Sequence, residues 1–595
     1  MPKKPNLPKL VHQKDKATQL AKKIGDKAVD LQVSSTKHLN KHISKKVGNI
    51  KGGKRFVFGW LLLVVLLIAI SGVSFIYVNR SSQVIAARDG GTYTEGVVGG
   101  FHNLNPLFSS GAIDDSVSRL IFNGLFRYDS EGVLVPDLAE KYTVEEDKKT
   151  YIVTLKKNIP WHDGRILNAE DVVFTIKTIQ NPVARSTLFA SWQGIEVSAI
   201  GDNQVKFTLQ APFAPFPNSL TVAILPQHIL SQINVETLRT APFNTAPVGT
   251  GPFKFTALRN EDGKQQQLET KRNPQYFRGS PRIDRFNIHT YPEEAVLLES
   301  LKNREITAAV DLRSSAVSQI GHDKNITTAG IPLNSGIFAF FNNESPQLKD
   351  AQVRVALAEA INRQSILDLF KARYTPLATP LLPTQLGYTD EFAQKTDVIA
   401  AAKALDAAGW VKQSDGIRAK DGEKLTLQMT TVNSAEYSSL AANLQKQWRT
   451  IGVDIQPQLL DAEQLQQTAL STHSYDILLY GISMGQDPDV YVYWHSSRSQ
   501  KDGLNFSQWK SARADSSLTT ARTRLEPVLR IARYKSFQDE WTKSAPAVAL
   551  YQPQVNYSFH ENAQGFVPSP SNDASNRLTN VEEWTVNTKR VQKTP

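Results

Sequence analysis

Gly481-Ile482-Ser483-Met484-Gly485 sets a serine at the centre of G-x-S-x-G, the spacing of a hydrolase nucleophile elbow. Asp539 and His560 follow in the order that a serine triad on such an elbow would need. An elbow also requires a strand, a sharp turn carrying the serine, and a helix directly after it. Here the helix signal comes later: Asp487 is a good N-cap and Pro488 suits a first helical position, which leaves Ser483 upstream in a loop. No HGGG-type run supplies an oxyanion hole, and there is no G-x-x-x-x-G-K-[ST] phosphate loop. His102, His162, His228, His289, His322, His473, His495 and His560 show no metal-ligand spacing, so neither a metal nor a cofactor is expected. Asp114-Asp115 and Glu293-Glu294 read as solvated carboxylates. Many aromatics and few convergent reactive groups suit a binder. A serine hydrolase using Ser483 stands as the alternative.

The elements around this stretch set where it lies. Residues 424–480 alternate: KLTLQMT as a strand, a helix with Leu440, Leu444 and Trp448 on one face, VDIQPQLL as a strand, a helix opened by Asp461, then YDILLY. This β-α-β-α-β order predicts a parallel sheet, and ligands bind beyond the carboxyl ends of such strands. The 480–494 stretch starts at that edge. Upstream, TYIVTL (150–155) and VKFTL (205–209) read as strands. Asn168 caps a helix with Asp171 at its third position, TAPVGTGPFKF (245–255) is a turn feeding a strand, and Asp350 caps a helix with Val353, Leu357, Ala360 and Ile361 on one face.

The net charge of +11 is a property of one end. Residues 1–55 carry 15 Lys+Arg and 3 Asp+Glu; the remaining 540 residues carry 53 and 54. A neutral body argues against nucleic-acid binding. FVFGWLLLVVLLIAISGVSFIYV, residues 56–78, has no charge and at about 1.5 Å per residue is long enough to cross a bilayer. Trp60 and Tyr77 sit near its ends, and Lys51, Lys54 and Arg55 place the basic tail in the cytoplasm and the rest outside. A cleaved signal peptide ending near Val84-Ile85-Ala86 is the competing reading, but its basic region would be far longer than normal. Leu20, Ile24 and Leu31, then Leu39, Ile43, Val47 and Ile50, give the tail a faint amphipathic pattern, with disorder the equal alternative. His38 and His42 lack an acidic companion and read as solvated. There is no cysteine for a disulfide or a lipid.

VPDLAEKYTVEEDKKTYIVTLKKNIPWHDGRILNAEDVVFTIK (135–177) closely resembles the signature of the extracellular solute-binding family 5, the dipeptide- and oligopeptide-binding receptors of ABC importers. GTGPFKF (249–255), KRNPQYFRGSPRIDRFNI (271–288), FNNESPQLKDAQVRVALAEAINRQSI (341–366), AAKALDAAGW (401–410) and LQKQWRTIGVDIQPQLLD (444–461) resemble its later blocks in order. Gln352 replaces a basic residue of the family's pattern, and Arg354 is kept. The resemblance covers about residues 92–588.

It implies an α/β fold with two lobes and an additional domain, a type II periplasmic-binding-protein hinge fold behind one transmembrane helix. The expected parts are a tail (1–55), the transmembrane helix (56–78), a linker (79–91), lobe I (92–126, 246–340 and 556–595), an additional domain (127–245) and lobe II (341–555). The implied function is an anchored, monomeric receptor that closes on a peptide or other small solute and passes it to ABC permease subunits. A receptor signalling through its tail is the other binding reading. By position, Gly111, Ala112, Ile113, Gly336, Ile337, Phe338, Ile482, Ser483, Met484, Asp487, Asp489, Tyr491 and Trp494 face the ligand, with Trp192 reaching in from the additional domain. Trp494 fits core and cleft equally, and Asp487 a helix cap equally. Trp161, His162, Asp163 and Gly164 are expected to brace a turn, and Arg354 to pair with a carboxylate. The resemblance also implies an acid that meets a peptide's amine just before the Asp-Pro turn. Gly485 stands about where it belongs, and Asp487 is the expected replacement.

Overall fold

The computed structural model describes residues 53–81, 83–261, 265–370 and 374–592. Two units separate. The first comprises Met1–Ala86 with Arg590–Pro595, the second Ala87–Lys589. In the first, the apolar run lies within one 29-residue helix, Gly53–Ser81. Its side chains are described only in part, and among the described residues no helix is long and apolar enough to cross a membrane. The amphipathic tail with His38 and His42 lies outside the described residues. The expected linker holds the strand Gln83–Arg88, paired with Asn587–Gln592.

The second unit is built on two large sheets. Lobe I has seven strands in the order 326–332, 554–560, 308–310, 92–98, 285–291, 265–272 and 253–261. Thr92–Val98 is parallel to both its neighbours, so Val98, Tyr291 and Val310 end on one edge. Lobe II has six strands, 375–376, 547–552, 335–341, 477–483, 426–432 and 454–460, so strand 335–341, expected in lobe I, lies in lobe II, and lobe I resumes at Gln554. The last three are mutually parallel, which is the β-α-β-α-β unit legible in the sequence. Its second helix is short: Ala462–Gln464 gives way to a π-helical turn, Leu465–Leu470.

Lobe II's central strand shows why its sequence does not alternate polar and apolar. Ile337, Ala339 and Phe341 face one core, and Phe338 and Phe340 face another across the sheet. With both faces covered, every position from Gly336 to Phe341 is apolar. The additional domain is a four-stranded antiparallel sheet, 139–144, 150–155, 204–208 and 196–200, with the helix Ala169–Ile179. Asn168 and Asp171 form the expected reciprocal capping box.

The chain crosses between the large sheets twice, through Leu333-Asn334 and through Pro553. Leu333 N donates to Pro553 O (2.9 Å), and Gln552 Nε2 donates to Leu333 O (2.8 Å). The crossings are thus one tied element, the natural hinge.

Arg354 is buried and meets backbone carbonyls in place of the expected carboxylate: Nη1 donates to Leu348 O (2.7 Å) and Nη2 to Ser544 O (2.9 Å). Burial pulls its pKa down to about 10, with Asp350 opposing. The Trp161–Gly164 block does brace a turn, with Gly164 N on Trp161 O (2.9 Å). His162 also clamps the GTG turn, accepting from Gly249 N at Nδ1 (3.3 Å) and donating from Nε2 to Gly251 O (3.0 Å). Burial holds its pKa down to about 4, so the imidazole is neutral at pH 7.

The two glycines let that turn lie against the end of helix Ala112–Ile121. A Cβ on Gly249 would stand 1.8 Å from Ile121 O, and one on Gly251 would be 2.5 Å from Ile121 C. Gly249→Ala must therefore shift backbone. We expect a loss of about 1–3 kcal/mol, typical of overpacking, read as a lower urea midpoint. An unchanged midpoint would contradict this close approach.

Candidate functional site

The hinge residue Asn334, 1 % exposed, organises the loop after strand Ile477–Ser483. Its carbonyl accepts from Met484 N (2.8 Å) and Gly485 N (3.2 Å), and its Nδ2 donates to Gln486 Oε1 (2.7 Å). Gln385 Nε2 donates to Gly485 O (2.9 Å) from the other side. Gly485 has φ +67°, the left-handed region that glycine enters without strain.

Ser483 is not in a loop, as its sequence position suggests. The strand runs through it, with Ser483 opposite Ser335 and Ile482 opposite Gly336. Tyr493 Oη donates to Ser483 O (2.8 Å). The triad partners are spent elsewhere: Asp539 pairs with Arg513 and Lys543, and buried His560 meets Leu301 O (2.9 Å). No nucleophile elbow forms.

Asp487 is not a helix cap either, because the short helix is Tyr491–Trp494 and its N-cap is Val490. Both carboxylate oxygens of Asp487 accept from Arg530 Nη2 (2.7 and 2.9 Å). Asp489 takes Arg522 at 2.9 Å. Each acid already holds a cation, which weighs against Asp487 serving a ligand's amine. Burial raises the pKa of Asp489, with Arg522 opposing.

Several expected contact side chains turn out to be core. Trp494 is fully buried against Phe338 (5.9 Å), Phe340 (5.5 Å) and Trp541 (5.6 Å between centroids). Phe338, Ile482 and Met484 lie in the same cluster. Trp192 packs on Phe207 and Phe216 inside the additional domain and does not reach a cleft. Aromatic and apolar residues beside a cleft support its wall from behind, and type alone does not show which way they face. A Cβ on Gly336 would stand 2.6 Å from the Phe338 ring, so this residue abuts that core too. Gly111, exposed, precedes the helix Ala112–Ile121, where Ala112 and Ile113 are half-buried. Tyr491 is half-buried, stacked on His495 (4.1 Å) and covered by Arg522 (4.3 Å).

The additional domain touches lobe II. Ala214 N donates to Arg522 O (2.8 Å), Arg522 lies over the Phe213 ring (5.1 Å), and Lys148 pairs with Glu526 (2.8 Å). A cavity of about 990 Å³ lies between the large lobes beside the hinge. Lobe I lines it with Val98, Glu293, Glu294, Asp311 and Arg313, and lobe II with Phe370, Tyr374 and Glu436. It opens at the carboxyl ends of the parallel strands, where sheets of this kind bind ligands. Tyr374 stacks on Tyr551 (4.8 Å), whose hydroxyl donates to Glu436 (2.6 Å). Sequence reasoning missed Asp311, Tyr374 and Glu436. The one available signal was their place at strand and helix ends. Asp311 faces the cavity with φ +61°, crowded by its walls. Desolvation, then Glu294 and Glu436, push its pKa up to about 6, with Arg313 opposing.

Two α/β lobes on a double crossing, with a cavity at their strand ends, define a two-lobed solute receptor of the type II periplasmic-binding-protein class. The chain belongs to the bacterial extracellular solute-binding proteins, family 5, whose middle-region model matches residues 133–503. Members of this family are substrate receptors and not enzymes. The oligopeptide-binding protein AppA of Bacillus subtilis is 27% identical over 547 residues, covering 88% of this chain and 97% of that one. The dipeptide-binding protein of Escherichia coli is 26% identical, covering 80% and 91%. NikZ from Campylobacter jejuni, solved with Ni(L-His), superposes with a TM-score of 0.66 at 28% identity, covering 83% of this chain and 99% of that one. Bacillus subtilis AppA solved with a nonapeptide gives 0.64 at 25%, covering 84% and 100%.

Two outcomes follow. Arg530→Met strands Asp487 in a largely buried setting and should cost about 3–5 kcal/mol in denaturant unfolding. A near-neutral effect would show that the pair is not structural. Asp311 keeps its proton more tightly folded than unfolded, so its ionisation penalises the native form above pH about 6, and the penalty is gone below its unfolded value near 4. Asp311→Asn should therefore raise Tm at pH 8 and leave it unchanged at pH 4. A gain of equal size at both would refute the electrostatic cause.

Proposed function

We propose that this chain is a membrane-anchored extracytoplasmic receptor that closes its lobes on a peptide and delivers it to an ABC permease. The carrying observation is the cavity between the lobes at the strand ends, in a fold shared with AppA, which was solved with a nonapeptide. Lobe closure is a shift between open and closed populations, driven by contacts a solute makes with both walls at once. Four acids against one arginine favour a solute that carries positive charge into the cavity, and Tyr374 offers it an aromatic face. Ser483 and Tyr491 flank the same lobe edge, while the buried side chains of the 480–494 stretch hold that edge in place.

Anchoring rests on the uncharged run 56–78, with Lys51, Lys54 and Arg55 on its cytoplasmic side. With no cysteine to carry a lipid, this run is the attachment. Protein from the membrane fraction should keep its basic tail on N-terminal sequencing, and a start near Ala87 would overturn the anchor. Mass spectrometry of small molecules carried by residues 80–595 should find peptides, and X-ray scattering should show a smaller radius when they are bound. Bound peptide with an unchanged radius would argue against closure.

A further inference from the structure

Lobe I and the additional domain share one continuous apolar core, which runs from Tyr93 and Phe286 of the large sheet to Tyr151 and Trp192. Lobe II has clusters of its own. Among the described residues no buried apolar cluster spans the seam between the additional domain and lobe II. That seam is crossed by polar contacts instead. Ala214 N donates to Arg522 O (2.8 Å), Lys148 Nζ donates to Glu526 (2.8 Å), and Asn218 Nδ2 lies 3.5 Å from Asp487. A Cβ on Gly132 would stand 2.4 Å from Gln486 Nε2, so this turn of the additional domain also lies against the loop after Ile477–Ser483.

Arg522 is the centre of the seam. Its guanidinium lies over the Phe213 ring of the additional domain (5.1 Å) and over the Tyr491 ring of lobe II (4.3 Å). Asp489 fixes it there, accepting from Nε (3.1 Å) and pairing with Nη2 (2.9 Å). Tyr491 is backed in turn by His495, stacked at 4.1 Å. A cation over an aromatic face is attracted by the ring's quadrupole, and more strongly where water is kept away. The Arg522 side chain is 24 % exposed. Parting these contacts opens no apolar core, which is what a reversible contact between lobes requires. None of these residues lines the cavity beside the hinge.

We infer that the additional domain is a latch: Arg522, held over Phe213, keeps lobe II against lobe I before a solute arrives and raises affinity without touching the solute. The inference rests on the reading that the lobes close on a solute, and it names what sets their resting balance. A receptor whose binding-competent state is only partly populated binds more weakly in proportion to that fraction. Contacts across the seam raise the fraction and leave solute choice unchanged, because they meet no part of the cavity wall.

The test uses the full chain in detergent. It has no cysteine, so Ser198→Cys on the additional domain and Ser516→Cys on lobe II, both exposed, take a pair of spin labels. Without solute, the distance between the labels should be mainly the short one of this structure. Phe213→Leu with Lys148→Glu should move most of the population to a longer distance, and Phe213→Tyr, which keeps an aromatic face, should not. A pool of tri- to pentapeptides should bind about tenfold more weakly to the double variant and as wild type to Phe213→Tyr. Distances that neither substitution moves would overturn the latch, as would a tyrosine variant that opens like the leucine one. An opened variant with undiminished affinity would overturn its role in binding. If Phe213→Leu does not fold, Lys148→Glu alone decides, since that side chain is exposed. If wild type binds no peptide, the receptor reading fails, and the solute-free distances still decide the latch.

Discussion

The double crossing between the sheets is the constraint on which the molecule depends. Two strands that each leave one lobe and enter the other must turn together, and the hydrogen bonds between Leu333, Pro553 and Gln552 make them one hinge. Asn334 at that hinge also carries the loop Met484–Gln486. The segment that joins the sheets therefore also holds this loop directly, through three hydrogen bonds with no intermediate element. The cavity beside this crossing has walls from both lobes.

Buried charge is handled in two distinct ways around this frame. Arg354 and Arg363 are satisfied mainly by carbonyls: Arg354 holds Leu348 and the helix end at Ser544, and Arg363 holds Ala549 of a strand; burial pulls each pKa down to about 10. Asp487, Asp489 and, in lobe I, Glu95 are instead paired with Arg530, Arg522 and Arg577. Those acids are matched, so the cavity beside the hinge draws its charge from Glu293, Glu294, Asp311 and Glu436 against Arg313.

What the sequence revealed follows the range of the interactions. Capping at Asn168, the strand Thr150–Leu155 and the parallel unit from Thr426 to Ser483 depend on neighbours a few residues away, and were legible. The pairing of Asp487 with Arg530 spans 43 residues, and nothing local marks it. Trp192 and Trp494 look the same in a core as in a pocket, because burial of a large ring is favourable in both. Asp311 and Glu436 come from different lobes, so only the packing of the two sheets in the fold makes them neighbours.

The route of the chain carries a consequence for biogenesis. Strand Gln554–His560 is an interior strand of lobe I, flanked by Ile326–Pro332 and Ala308–Val310. Until it arrives, the lobe I sheet is cut in two and its strand edges lie open, although the additional domain and the parallel unit of lobe II are already made. The slowest contacts to form are thus those that complete the hinge, since loop closure over hundreds of residues must precede them. A chain that folds as it is made would carry a waiting gap in its first lobe, which only this late strand fills.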